Sequence, residues 1–170
     1  MKQITIKDMV IIALLSAILF ALEFALQVLP NIQLTVLLIV LFSKKLGLIR
    51  TSIIVLIHTL LDSFVNGFSI IYFPVMLIGW LIIPITLTTI FKKVEEPIYL
   101  ALLGVLYSFL YSWIFAIASV IVANVNFFDY LLADILFEVI LASSSFLSIL
   151  WLYKPLSLFY DKVFNKEMSS

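Results

Sequence analysis

The sequence has no cysteine, so neither a disulfide framework nor a thiolate metal site is open to it. Its single histidine leaves nothing from which to assemble a His/Cys metal cluster. Glycine is scarce, at four in 170 residues. No Walker motif or glycine-rich phosphate loop occurs, which excludes ATP hydrolysis by the chain itself. HExxH and GxSxG are absent as well, so the chain reads as neither an enzyme nor a cofactor carrier. Charge is the other shortage. Only 12% of residues are charged, and ten basic residues balance ten acidic ones. A zero formal sum argues against a nucleic-acid partner.

What fills the sequence instead is apolar side chain, at 65% of residues. A soluble domain of this length needs far more polar surface to cover its core, so the composition points to an integral membrane protein. The continuous apolar runs exclude a transmembrane barrel, whose strands alternate. A spanning helix needs about 20 mostly apolar residues. Reading for such runs predicts one all-α membrane domain with six transmembrane helices, over residues 8–29, 33–43, 47–66, 70–91, 98–123 and 130–153. An amphipathic tail over 154–170 then lies at the cytoplasmic interface. The first apolar run is too long for a signal-peptide core and reads as a retained helix. The second is short for a full span and reads as tilted or packed inside the bundle.

Charge placement sets the orientation. Six helices starting inside put Lys2, Lys7, Lys44, Lys45, Arg50, Lys92, Lys93, Lys154, Lys162 and Lys166 on one side, and those are all ten basic residues. The opposite loops, around Pro30-Asn31, Asn66-Gly67 and Asn124–Asn126, hold none. Positively charged loops stay cytoplasmic, so both termini are expected inside a bacterial plasma membrane.

Four acidic residues, Glu23, Asp62, Asp134 and Glu138, fall within or beside the apolar runs, all in the outer half of that topology. An ionisable group at membrane depth costs roughly 2.5–3.5 kcal/mol on insertion scales and usually faces a cavity or a partner. His58, Asp62 and Asn66 recur at spacing four and share one helix face. Glu138 and Ser145, seven apart, share another. One reading is a polar cavity that opens outward, bordered by the Asn31–Gln33 loop as a lid hinged at Pro30. The other is that these groups pair among themselves to hold the bundle, His58 with Asp62 being the obvious pair. Tyr72, Trp80, Tyr107, Tyr111 and Trp113 suit a planar ligand, or serve as packing and interfacial anchors. Ala13, Ala17 and Ala21 repeat at spacing four, a small-residue stripe that lets another helix approach closely.

Three stretches carry a resemblance. The opening Thr5-Ile6-Lys7-Asp8-Met9-Val10-Ile11-Ile12-Ala13-Leu14-Leu15-Ser16-Ala17 is similar to the start of the substrate-binding S components of energy-coupling factor (ECF) transporters, the vitamin-uptake branch of the ABC transporters. Asp134-Ile135-Leu136-Phe137-Glu138-Val139-Ile140, running on to Leu152-Tyr153-Lys154-Pro155-Leu156, resembles the sixth helix of that family and its Lys-Pro-Leu exit. Leu29-Pro30-Asn31-Ile32-Gln33-Leu34 looks like the first extracellular loop of an uncharacterised branch. The chain departs from many members at Leu136, where proline is frequent, and at Leu141 and Ser145, where His and Asn often stand.

The resemblance implies a division of labour. The S component captures a micronutrient outside, then associates through its Ala-xxx-Ala face with a transmembrane coupling subunit (the T component) and two cytoplasmic ATPases. The substrate residues expected on this reading are Glu23, Asn31, Gln33, His58, Asp62, Asn66, Tyr72, Trp80, Trp113, Glu138 and Ser145. Because every basic residue lies at the other face, the expected ligand is neutral or cationic rather than a folate, biotin or pantothenate anion. The competing resemblance is to rod-shape-determining membrane proteins, which would make the chain a scaffold with no small ligand.

Overall fold

The computed structural model describes residues 4–29 and 32–165, and every regular element among them is helical. They are α1 (Ile6–Leu26), α2 (Thr35–Asn66), α3 (Tyr72–Thr88), α4 (Pro97–Ala123) and α5 (Phe127–Tyr160), followed by a π-helical turn over Asp161–Asn165. Four helices are long and apolar enough to cross a membrane: α1, α2, α4 and the run that contains α5. The remaining one, α3, is apolar but shorter.

Local chemistry sets the helix ends. Thr5 and Asp8 form a capping box at the start of α1, with Asp8 N–H donating to Thr5 Oγ1 and Thr5 N–H donating back to Asp8 Oδ2. Pro97 occupies the first turn of α4, where its missing N–H costs nothing. Asn124 ends α4 in the left-handed region, at φ 52. Two residues later, Asn126 caps α5 by accepting from Phe128 N–H at 2.8 Å.

The predicted second and third helices are the two arms of α2, which meet at a sharp break and fold back on each other. Thr35 and His58 both reach Oε2 of Glu23, at 2.6 and 3.0 Å. In a straight helix those two residues would lie about 34 Å apart along the axis. The chain therefore reverses between them, and the break is at Gly47, whose φ of 76 and ψ of −175 belong to the glycine-only part of backbone space. Residues 35–43 are buried without exception. This first arm is enclosed by the other helices, one of the two arrangements its short apolar run allowed.

Differences at the other ends have simple causes. The first helix stops at Leu26, three residues before the expected boundary, and a turn carries the chain through Gln27 to Leu29. The last helix does not give way to a separate tail at Lys154. It continues through Pro155 to Tyr160, where buried Tyr153 and Tyr160, seven residues apart, anchor it to the bundle. Asp161, just beyond, holds Lys45 at 2.6 Å.

Packing combines close approach with satisfied hydroxyls. At Gly104 an added Cβ would come within 2.5 Å of Ile149 Cδ1, so the missing side chain makes room for Ile149 where α4 and α5 pack. One turn on, the Ser108 and Ser145 hydroxyls lie 2.8 Å apart across the same interface, a hydrogen bond in which Ser108 Oγ accepts. Ser16, Ser43, Thr59 and Ser108 each donate to the carbonyl four residues earlier, which lets hydroxyls sit in the core. The exterior is apolar: Ile6, Val28, Ile70 and Ile121 are among the large side chains left exposed. A periphery of that kind suits lipid rather than water.

Basic residues gather at one end of the bundle. There Arg50 pairs with Asp8 at 3.0 Å, and Lys44 Nζ donates to the Phe91 and Lys92 carbonyls in the turns that follow α3.

Candidate functional site

At the end opposite the lysines, a cavity of about 300 Å³ opens between α1, the connection that follows it, the second arm of α2, and an aromatic wall from α3 and α4. Its polar lining is Glu23, Gln27, Gln33, Asp62 and Asn66, and its apolar lining includes Phe20, Phe24, Trp80 and Tyr111. A volume at the lower end of ordinary ligand pockets suits a small, compact molecule. Among the described residues, no lysine or arginine lines it.

Each polar side chain is held by a neighbour. Glu23 lies in the penultimate turn of α1, facing the start of α2, where Leu34 offers no side-chain cap. Thr35 Oγ1 donates to Glu23 Oε2 at 2.6 Å and lies 3.1 Å from Gln33 Oε1. The carboxylate thus sits against the positive end of a helix, a favourable place for negative charge. Beneath it, fully buried His58 brings Nε2 to 3.0 Å from the same oxygen, with that oxygen off the line of the ring N–H. Nδ1 of His58 has no hydrogen-bond partner among the described residues. On the other side of the cavity, Asn66 Nδ2 donates to Asp62 Oδ1 at 2.6 Å, and Gln27 Nε2 donates to Asn66 Oδ1 at 3.0 Å. This last bond ties the end of α1 to the end of α2.

The connection after α1 is fastened from outside the cavity. Gln33 N–H donates to Ser144 Oγ at 3.1 Å, and that hydroxyl donates back to the Gln33 carbonyl at 3.0 Å. One serine on α5 therefore satisfies both backbone groups of a cavity residue. The aromatic wall is a stack: the Trp80 and Tyr111 rings lie 4.1 Å apart at 21°, Tyr111 lies against Phe115, and Phe115 against Tyr72. Trp80 is buried and Tyr111 half-buried.

The expected residues divide into three groups. Glu23, Gln33, Asp62, Asn66 and Trp80 line one cavity, with His58 directly under Glu23. His58 meets Glu23, whereas Asp62 accepts from Asn66, so the pair expected along one helix face is replaced by one between helices. Tyr72 continues the ring stack beyond the cavity. Trp113 is half exposed on α4. Glu138 and Ser145 are buried on the α5 face that packs against α4, away from the cavity lining. Asn31 lies outside the described residues. Ala13, Ala17 and Ala21 form an exposed strip on α1.

Sequence reasoning passed over Gln27, Thr35 and Ser144. The polar Gln27 beside Glu23 was a usable signal, while Ser144 depends on a contact across 111 residues.

Two carboxylates, an amide cluster and a stacked indole–phenol wall, with no cationic lining, are suited to holding a cationic or hydrogen-bond-donating planar molecule. Comparison of the chain with protein-family profiles, with curated proteins and with solved structures finds no match.

Proposed function

We propose that this chain is the S component of an ECF transporter, crossing a bacterial plasma membrane six times with both termini in the cytoplasm. It captures a neutral or cationic micronutrient from outside for ATP-driven uptake with a T component and two ATPase subunits. Four observations support the reading. The fold-back of α2 at Gly47 divides it into two arms, so that the bundle holds six helical segments, the number this reading needs. The basic residues gather at one end of the bundle, and a cytoplasmic face is where lysine and arginine concentrate. At the other end lies a cavity of ligand size. The Ala13/Ala17/Ala21 strip faces outward on α1, free to meet a partner helix.

The observation that carries the proposal is the cavity itself: Glu23 and Asp62 come from different helices to one chamber with an aromatic wall and no basic lining. In an apolar bundle, ionisable groups that face a cavity are the usual mark of a substrate or ion site. A rod-shape scaffold needs no such chamber. The test is reconstitution of the full-length chain in vesicles with a T component and two ATPases. ATP-dependent accumulation of a labelled cationic micronutrient supports the assignment, and accumulation no greater than in vesicles without the chain contradicts it.

A further inference from the structure

A second cavity, of about 750 Å³, lies at the basic end of the bundle, where the fold-back of α2, the end of α3, the start of α4 and the late turns of α5 converge. It is separate from the Glu23–Asp62 chamber and shares no lining residue with it. Lys44, Lys45, Lys92 and Lys154 line it, against Glu95 and Glu96, so the lining carries two more positive than negative charges.

The four lysines are not equivalent. Lys44 is committed to the Phe91 and Lys92 carbonyls, and Lys45 to Asp161. Lys92 and Lys154 are exposed and make no ion pair or hydrogen bond from the side chain among the described residues. Buried Tyr153 and half-buried Ser157 add two hydroxyls to the lining that likewise hold no hydrogen bond among those residues. Cations and hydroxyl donors converging on one concavity make a receptor for a tetrahedral oxyanion, because each phosphate oxygen can accept several charge-assisted bonds. The surroundings narrow the choice further. Leu158 lines the cavity at 63% exposure, and Trp151, outside the lining and seven residues earlier on α5, is 68% exposed, so the cavity borders an apolar strip of that helix on one side. A basic pocket between membrane helices, opening beside an apolar strip, has the form that anionic headgroups occupy.

We propose that this cavity binds a phosphate group, supplied by an anionic phospholipid whose acyl chains lie along the α5 side of the rim. The proposal rests on membrane embedding of the bundle and not on the vitamin-capture reading. It is tested on the full-length protein in neutral detergent, using native mass spectrometry to count retained phosphatidylglycerol and phosphatidylcholine. Thermal shifts with inorganic phosphate run in parallel.

Preferential retention of phosphatidylglycerol is expected, lost at least about tenfold in the Lys92→Ala/Lys154→Ala double variant and kept in the Lys92→Arg/Lys154→Arg double variant. Lys93→Ala, outside the lining, is expected to retain the lipid as the parent does. A thermal shift with inorganic phosphate as large as that with phosphatidylglycerol, and equally dependent on Lys92 and Lys154, would keep the phosphate site and overturn its lipid source. Equal retention of the two lipids, or undiminished phosphatidylglycerol in the double alanine variant, overturns the site itself.

Discussion

Gly79 lies directly under the ring of Tyr111: a Cβ added to the glycine would come within 2.7 Å of Tyr111 Cδ2. That close approach of α3 and α4 lets Tyr111 stack on Trp80 and form the aromatic wall of the chamber. Gly79→Ala is therefore expected to push the ring off its stack. A shift in the near-ultraviolet circular dichroism of the purified protein is expected, with ligand affinity lower by about tenfold, or ~1.4 kcal/mol. An unchanged spectrum and affinity would show that the wall tolerates the extra methyl group.

Gly47 tests the fold-back. Nothing lies within 4 Å of a Cβ built on it, so substitution meets no steric neighbour and acts only through backbone strain at φ +76. Gly47→Ala is expected to destabilise the protein by roughly 1–3 kcal/mol, read as a lower unfolding temperature. A variant as stable as the parent would mean that the reversal does not depend on this conformation.

Glu138 and Asp62 are expected to behave differently, although both are carboxylates among apolar helices. Asp62 lines the chamber, whereas Glu138 is buried on α5 with Oε1 lacking any partner among the described residues. Asp62→Asn should weaken ligand binding by about tenfold or more. Glu138→Gln should leave affinity within about twofold, and it should not lower the unfolding temperature, because it removes a buried charge while the amide oxygen can still accept from Trp113. Equilibrium binding and thermal unfolding of both variants check this, and a tenfold loss on Glu138→Gln would extend the site to α5.

Docking is tested at the alanine strip. Ala17 is exposed on α1, so a tryptophan there fits the isolated subunit while holding a partner helix away. Ala17→Trp is expected to abolish coupled uptake and leave ligand binding by the isolated chain intact. Undiminished uptake would remove this face from the docking surface.

Much of the fold was legible because membrane helices announce themselves by continuous apolar runs and charged ends. The shortness of the second apolar run allowed a tilted or an enclosed arm, and the burial of residues 35–43 selects the enclosed one. The break between the two arms falls where the two expected helices meet, but the positive φ of Gly47 that reverses the chain was not legible, because a glycine between Leu46 and Leu48 does not by itself declare that conformation. For the site, Asp62 and Asn66 were legible as neighbours on one face. The partner of His58 was not, since helix periodicity pairs it with Asp62 and only interhelical packing brings Glu23 to it. The place of Glu138 and Ser145 outside the chamber lining was not legible for the same reason: polarity within an apolar helix is shared by cavity walls and by helix–helix contacts, and the Ser145 hydroxyl meets that of Ser108.

The most direct test of the central claim is equilibrium binding by the isolated full-length protein against a panel of micronutrients at neutral pH. The panel should contrast cationic and neutral planar compounds with di-anionic ones, at low and high salt. Capture of a neutral or cationic member is expected, weakened by at least about tenfold in Glu23→Gln and in Asp62→Asn, with salt reducing affinity for a cation. Tight, salt-insensitive capture of a di-anionic member, or unaltered affinity in both variants, would contradict the assignment of the Glu23–Asp62 chamber as the substrate site.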